Sequence, residues 1–324
     1  MWRRPELFVL VFLVACRKDK PAVPDAAAPP VAIADASVDA GPLVVDEYAG
    51  TWFGKDKPTE YEDSFSQCEV GRAKTIGHTS VAFKVECVNG RKFAYKPSAR
   101  RGALRYKGEL RAYTLGRELG FLNVPPAFER TMRFEAFPRF LDAQGKALWA
   151  KEAIEVGGTV KGVAIPWIDK LVFPPFEKDP LLSQWKAWLK KDAAIPAEPV
   201  TLGTGATAKD PKDVARQLSD MIVFDYLTAN WDRFSGANVG WRDDLQLVLY
   251  VDNDGAFFPQ PPKEGLERND RLLEGTDRFS KSLWRRLERF PKDDEAVMKR
   301  LDAVRASIRK KIDANGEAAT LFFP

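Results

Sequence analysis

"TANWDRFSGANVGW" occupies residues 228–241, and "YVDNDGAFF", residues 250–258, follows after a short apolar stretch. Asp232 and Asn238 sit in a segment rich in Gly and Asn, and Asp252 comes directly after the strand-like run LQLVLYV, residues 245–251. Acids, Asn and Gly are ordinary turn formers, so one reading is simply two turns around a strand. The other is that two carboxylates and an amide are carried to one place by the elements that flank them. The rest of the chain has to choose.

The residue inventory narrows the choice. The chain has 324 residues and a single histidine, His78, which stands in the turn-like sequence TIGHTS. Imidazole-based nucleophilic sites and His-rich zinc sites are therefore hard to build. Cys68 and Cys87 have no CxxC partner. What remains is carboxylates, amides and lysines, and these are the working parts of phosphoryl transfer. Fifty Lys and Arg against forty-six Asp and Glu leave a net charge of only +4, which gives no case for nucleic acid as a partner. Arg100-Arg101 and Arg285-Arg286 read as solvated faces.

The N-terminus is of a different kind. MWRRPELFVLVFLVAC starts with a positive end and runs from Leu7 to Ala15 without a polar residue. That core is too short to span a bilayer but suits a signal peptide, predicted over residues 1–15. It closes on Leu13-Val14-Ala15-Cys16, which resembles a bacterial lipobox. The resemblance implies cleavage before Cys16 and a lipid on that cysteine, so the expected location is outside the cytoplasm, anchored to the cell envelope. Residues 16–48 are Ala-, Pro- and Asp-rich and cannot bury enough apolar surface to offset their ordering entropy. They read as a tether. Cys68 and Cys87 are then an even pair in an oxidising compartment, either joined as a disulfide or buried as free thiols. A bond across this loop stabilises by about 3 kcal/mol in the chain-entropy model.

From about residue 49 the composition turns globular. SVAFKVECVNGRKFAYKP (80–97) alternates around Asn89-Gly90 and predicts a hairpin, with Lys96 at the end of its second strand. Tyr106, Leu110, Tyr113 and Leu119 recur near helical spacing over 103–119, with Gly120 placed to cap the end. VPPAFER returns to extended structure, and residues 160–173 supply a further strand and a connection to a second lobe. Asp210-Pro211 is a helix start, and Val214, Leu218, Met221, Ile222 and Leu227 give residues 210–229 a buried face. Amphipathic helices around 280–290 and 293–313 end the chain. No internal repeat is visible.

Strand lysine, helix glutamate, acidic loop and strand-end Asp occur here in an order that resembles the protein kinases. GELRAYTLGRELGFLNVPP (108–126), VFDYLTANWDR (223–233) and LYVDNDGAF (249–257) are more specifically similar to the secretory-pathway kinases, the family of four-jointed and the Golgi casein kinase. They also resemble the phosphatidylinositol 3-/4-kinases and HipA-type kinases, which share a "DR…N…D" pattern. The resemblance implies an α+β, two-lobed kinase-like domain over 49–324, with a β-rich N-lobe to about 168 and a helical C-lobe from about 169. It implies that Lys96 and Glu109 bind ATP or another nucleoside triphosphate, that Asp232 is the catalytic acid–base group, and that Asp252 and Asn238 hold Mg²⁺ or Mn²⁺. Asp254 is a second acid able to share the metal. Two departures stand out: Asn238 lies six residues after Asp232 where relatives have five, and Phe234 replaces a frequent histidine. No glycine-rich phosphate loop is recognisable, Gly71, Gly77 and His78 being a poor substitute. The expected activity is transfer of the γ-phosphoryl group to a protein or sugar hydroxyl. A nucleotide-binding module without turnover and a purely structural envelope lipoprotein are the alternatives.

Overall fold

The computed structural model describes residues 65–76, 80–290, 295–315 and 322–323. The signal peptide, the lipidation expected at Cys16, the tether, the first residues of the expected domain and His78 lie outside this set. Among the described residues no helix is long and apolar enough to cross a membrane.

The N-terminal lobe is a five-stranded antiparallel sheet. Strands β1 (Val70–Ile76), β2 (Ala82–Cys87), β3 (Lys92–Pro97), β4 (Phe128–Arg133) and β5 (Thr159–Pro166) are ordered β1-β2-β3-β5-β4. The hairpin read from sequence is β2–β3, and Gly90 adopts φ +81° in its turn, a conformation open to glycine. Alternation along β3 decides what faces where. Phe93 and Tyr95 enter a core with Phe83, Phe137 and Trp149. Lys96, offset by one residue, lies opposite Val163 on β5 and so shares the other face. Val163 and the half-buried Ile165 pack there with Tyr106, Leu110 and Tyr113 of helix α1 (Arg105–Glu118). Trp149 belongs to α2 (Ala143–Glu152), capped by Asp142, whose side chain accepts from Gly145 N–H.

Cys68 and Cys87 form a disulfide joining the segment before β1 to the end of β2. Arg130 on β4 reinforces the same segment by donating to the carbonyls of Phe65, Ser66 and Cys68.

The C-terminal lobe is mainly helical. After α3 (Leu181–Trp188) and the small β6–β7 hairpin (Val200–Gly203, Ala206–Ala208), helix α4 (Pro211–Leu227) runs through its core. Asp210 caps α4 by accepting from Lys212 and Asp213 N–H, with Pro211 as the first helical residue. Strands β8 (Val239–Arg242) and β9 (Leu247–Tyr250) form a hairpin beyond it, followed by a 3₁₀ turn at Asn253–Gly255. Helices α5 (Lys263–Gly275), α6 (Lys281–Arg289) and α7 (Glu295–Asn315) complete the lobe, where β10 (Phe279–Ser280) pairs in parallel with β11 (Phe322–Phe323).

Candidate active site

Helix α1 forms one wall of the site and owes its position to small residues. Gly108 faces the backbone of the loop after β9: a Cβ there would stand 2.7 Å from the Ala256 carbonyl oxygen, 3.1 Å from that of Asn253 and 3.2 Å from that of Asp254. Only glycine lets the helix come this close. Gly120 at φ +70° ends α1, where Phe121 N–H reaches Gly116 O and Gly120 N–H reaches Arg117 O, the paired bonds of a Schellman cap. Glu109, adjacent to Gly108, is thereby presented to both the sheet and the loop.

Lys96 Nζ lies 2.5 Å from Glu109 Oε1, 2.5 Å from Asp252 Oδ1 and 3.8 Å from Asp254 Oδ2. Arg105, one helical turn before Glu109, donates to Asp254 Oδ1 at 3.1 Å. The three acids are not equivalent. The side chains of Glu109 and Asp254 are 3% and 4% exposed, whereas that of Asp252 is 36% exposed and opens to solvent. Burial works against the charged Lys96 ammonium, but Asp252, Glu109 and Asp254 together outweigh it and hold its pKa well above the ordinary lysine value. Burial would also raise Asp252; the Lys96 charge and hydrogen bond, helped by Arg105 and Arg233, hold it below its ordinary value instead. Asp254 goes the other way. Burial, with Asp252 and Glu109 close by, pushes it up to about 7 against the pull of Lys96 and Arg105.

Asp252 lies two residues beyond β9 in the left-handed region at φ +55°, so the expected direct attachment to the strand end is replaced by a turn. Arg233 holds that turn. It is 1% exposed, pairs with both oxygens of Asp225 on α4, and donates to Asn238 O, Val251 O and Asn253 Oδ1. The residues on both sides of Asp252 are thus tied to the one that follows Asp232.

Asp232 stands beside this turn. A Cβ on Gly255 would be 2.8 Å from Asp232 Cβ, so the absent side chain allows the two acidic segments to abut. Asn230 Oδ1 accepts from Asp232 N–H, while Asp232 Oδ1 is buried and has no hydrogen-bond partner. Asn238 donates from Nδ2 to Asp232 O, and its own carbonyl accepts from Val251 N–H. Between Asp232 and Asn238 the loop turns through Gly236 at φ +128° and Ala237 at φ +49°.

The structure therefore joins Lys96, Glu109 and Asp252 directly and places Asp232 and Asn238 against the same turn. It brings in Asp254, the second acid marked in the sequence, and adds Arg105 and Arg233 to the site. Arg105 and Glu109 are four apart on one helix, a spacing that puts them on one face, and this was a legible signal. Arg233 had only its place after Asp232 to mark it.

Among the described residues no group of three or more His, Cys, Asp or Glu side chains is poised to hold a metal by itself; the carboxylates converge on Lys96. That is compatible with Mg²⁺ or Mn²⁺, for which one or two carboxylates act together with phosphate oxygens rather than as an all-protein cage. Asp252, half-buried and anionic, and the neighbouring Asp254 are hard oxygen donors of the right type.

Residues 98–247 match the family model of the four-jointed box protein middle domain. No curated protein sequence matches the chain. Among solved structures, the Golgi casein kinase with Mn/ADP bound superposes with a TM-score of 0.58 at 14% identity, covering 82% of this chain and 78% of that one. The structure of hydra Fam20 with sugar gives the same score and identity, covering 82% and 91%. The chain thus has a two-lobed kinase-like fold similar to that of the Golgi casein kinase and Fam20, and within it residues 98–247 are similar to the four-jointed box protein middle domain.

Proposed function

We propose that the protein is an exported, lipid-anchored kinase that transfers the γ-phosphoryl group of ATP, or of another nucleoside triphosphate, to a hydroxyl of a protein or sugar. The observation that carries this reading is the convergence of Lys96, Glu109, Asp252 and Asp254 from strand, helix and loop beside a buried, unpartnered oxygen of Asp232. The Mn/ADP complex of the Golgi casein kinase supports nucleotide and manganese as ligands, and the lipobox ending at Cys16 supports the anchor.

Each side chain then has a task. Lys96 offers a compact positive charge to the nucleotide phosphates, and Glu109 orients it. Asp252, Asp254 and Asn238 would hold Mg²⁺ or Mn²⁺, which neutralises charge on the β- and γ-phosphates. Asp232 accepts the proton of the acceptor hydroxyl as its oxygen bonds to the γ-phosphorus and the bond to the β–γ bridging oxygen breaks, releasing the nucleoside diphosphate. The unpartnered Oδ1 is free to take that proton.

Incubation of the purified chain with labelled ATP, Mn²⁺ or Mg²⁺ and envelope extract tests the proposal. Label should pass to acceptor, and Asp232→Ala should abolish transfer while nucleotide affinity stays within a few-fold. Equal turnover by the variant would refute the assignment. Nucleotide binding without transfer by the wild type would identify a binding module, and no affinity at all a structural lipoprotein.

A further inference from the structure

The carboxylates that would take a divalent ion are already neutralised by a cation of the protein's own. Lys96 Nζ is 2.5 Å from both Glu109 and Asp252 and 3.8 Å from Asp254, on a side chain only 11% exposed. Arg105 takes the other oxygen of Asp254 at 3.1 Å. We propose that Lys96 acts as an internal counter-ion that excludes bare divalent metal, so that the site accepts metal only together with a nucleotide. The inference rests on the nucleotide-site reading above and adds an order and a coupling to it.

The argument is one of charge exchange. Binding of a dication alone requires Asp252 to leave Lys96, which keeps Glu109; the dication, Lys96 and Arg105 then bring four positive charges to the three carboxylates Glu109, Asp252 and Asp254. A buried charge without full compensation is disfavoured. A nucleoside triphosphate changes the balance, because its phosphates give Lys96 a replacement anion and release Asp252 toward the metal. Metal and nucleotide thus each favour the state that the other needs. Such coupling is reciprocal: the factor by which nucleotide tightens metal binding equals the factor by which metal tightens nucleotide binding. Asp252 is the natural acid to change partners, since Glu109 and Asp254 are enclosed while Asp252 opens to solvent.

Three proteins test this: the wild-type chain, Lys96→Met, which removes the charge with little change in length, and Lys96→Arg, which keeps it. Mn²⁺ alone, without nucleotide, is titrated into each and followed by the loss of the free Mn²⁺ electron paramagnetic resonance signal. The expected result is that Lys96→Met binds Mn²⁺ at least tenfold more tightly than wild type, whereas Lys96→Arg stays as weak as wild type. In a second arm, Mn²⁺ is titrated in the presence of a non-hydrolysable ATP analogue. Wild type should gain at least tenfold in Mn²⁺ affinity from the analogue, and Lys96→Met should gain little. Circular dichroism on the same samples establishes that the variants are folded.

Equal or weaker Mn²⁺ binding by folded Lys96→Met would overturn the counter-ion role. If the wild type binds the analogue with Mn²⁺ but shows no coupling, the inference fails and the nucleotide-site reading stands. If it binds no analogue at all, that reading fails, and the inference with it.

Discussion

Gly108→Ala adds one methyl group where α1 meets the backbone of residues 253–256. The new Cβ would lie 2.7 Å from Ala256 O, where ordinary contact begins at 3.4 Å, and two more carbonyl oxygens stand at 3.1 and 3.2 Å. The helix or the turn must therefore retreat by about 0.7 Å to reach ordinary van der Waals separation. Alanine in a helix interior gains about 1 kcal/mol over glycine, while overpacking costs about 1–3 kcal/mol, so net destabilisation should be modest, about 0–2 kcal/mol. Function should suffer far more. Misplacement by about 1 Å can cost about 100-fold in rate, and the displaced turn carries Asp252 and Asp254. Gly116→Ala is the control on the same helix, because its Cβ would meet the Val124 side chain at 2.9 Å rather than a backbone oxygen. The assay combines thermal unfolding with calorimetric titration of Mn²⁺–nucleotide. Gly108→Ala is expected to unfold within about 5 °C of wild type yet lose at least tenfold in affinity. Gly116→Ala, which crowds Val124 Cγ2 at 2.9 Å and Cβ at 3.0 Å, should lose some stability but keep the affinity. Wild-type binding by Gly108→Ala, or equal loss in Gly116→Ala, would refute the reasoning.

Replacing Cys68 and Cys87 together by Ala removes a link across 19 positions and should lower stability by about 3 kcal/mol, measured by denaturant titration against the oxidised wild type. Arg233→Lys keeps the charge beside Asp225 but loses the planar fork to Asn238, Val251 and Asn253; the chain should fold and bind Mn²⁺–nucleotide at least tenfold more weakly. Burial raises Asp220 to about 7 against the pull of Arg216, so its contribution to stability is fully present below the unfolded value near 4 and is lost as pH rises toward 7. Asp220→Asn should therefore match wild type near pH 4 and exceed it by about 1 kcal/mol or more at pH 8; identical pH profiles would contradict the raised value. Cys16→Ser should abolish metabolic lipid labelling, and labelling that persists would disprove the lipobox reading.

Patterns that bury apolar residues were legible in the sequence. The β2–β3 hairpin follows from alternation around Asn89-Gly90, and α4 from its apolar face and the Asp210-Pro211 start. Helix α5 gave no such signal, because it buries Gly265, Asn269 and Leu273, only one of them a large apolar residue. Its role is polar and close-fitting: Gly265 lets it approach Trp231, and Asn269 donates to the carbonyls of Asp225 and Asn230. The same contrast holds at the site. Lys96, Glu109, Asp232 and Asp252 were marked by order and family likeness, whereas the enclosure of Asp254 and the many bonds of Arg233 depend on packing between distant segments. The left-handed turn at Asp252 is invisible to any pattern of polarity.

Lys96 and Asp252 are 156 residues apart in the chain, and their contact exists only while sheet and helical lobe are docked. The seam between the lobes joins this charge contact to an apolar one, in which Leu115 of α1 and Leu119 and Phe121 after it pack into the core of the helical lobe. A nucleotide seated there would act as a molecular staple, bound to both lobes at once and to neither when they part. Ligand at a hundred times its dissociation constant would then add about 2.7 kcal/mol to the joined state. Without nucleotide the seam would be unstapled, and its breathing would respond to each encounter with the ligand.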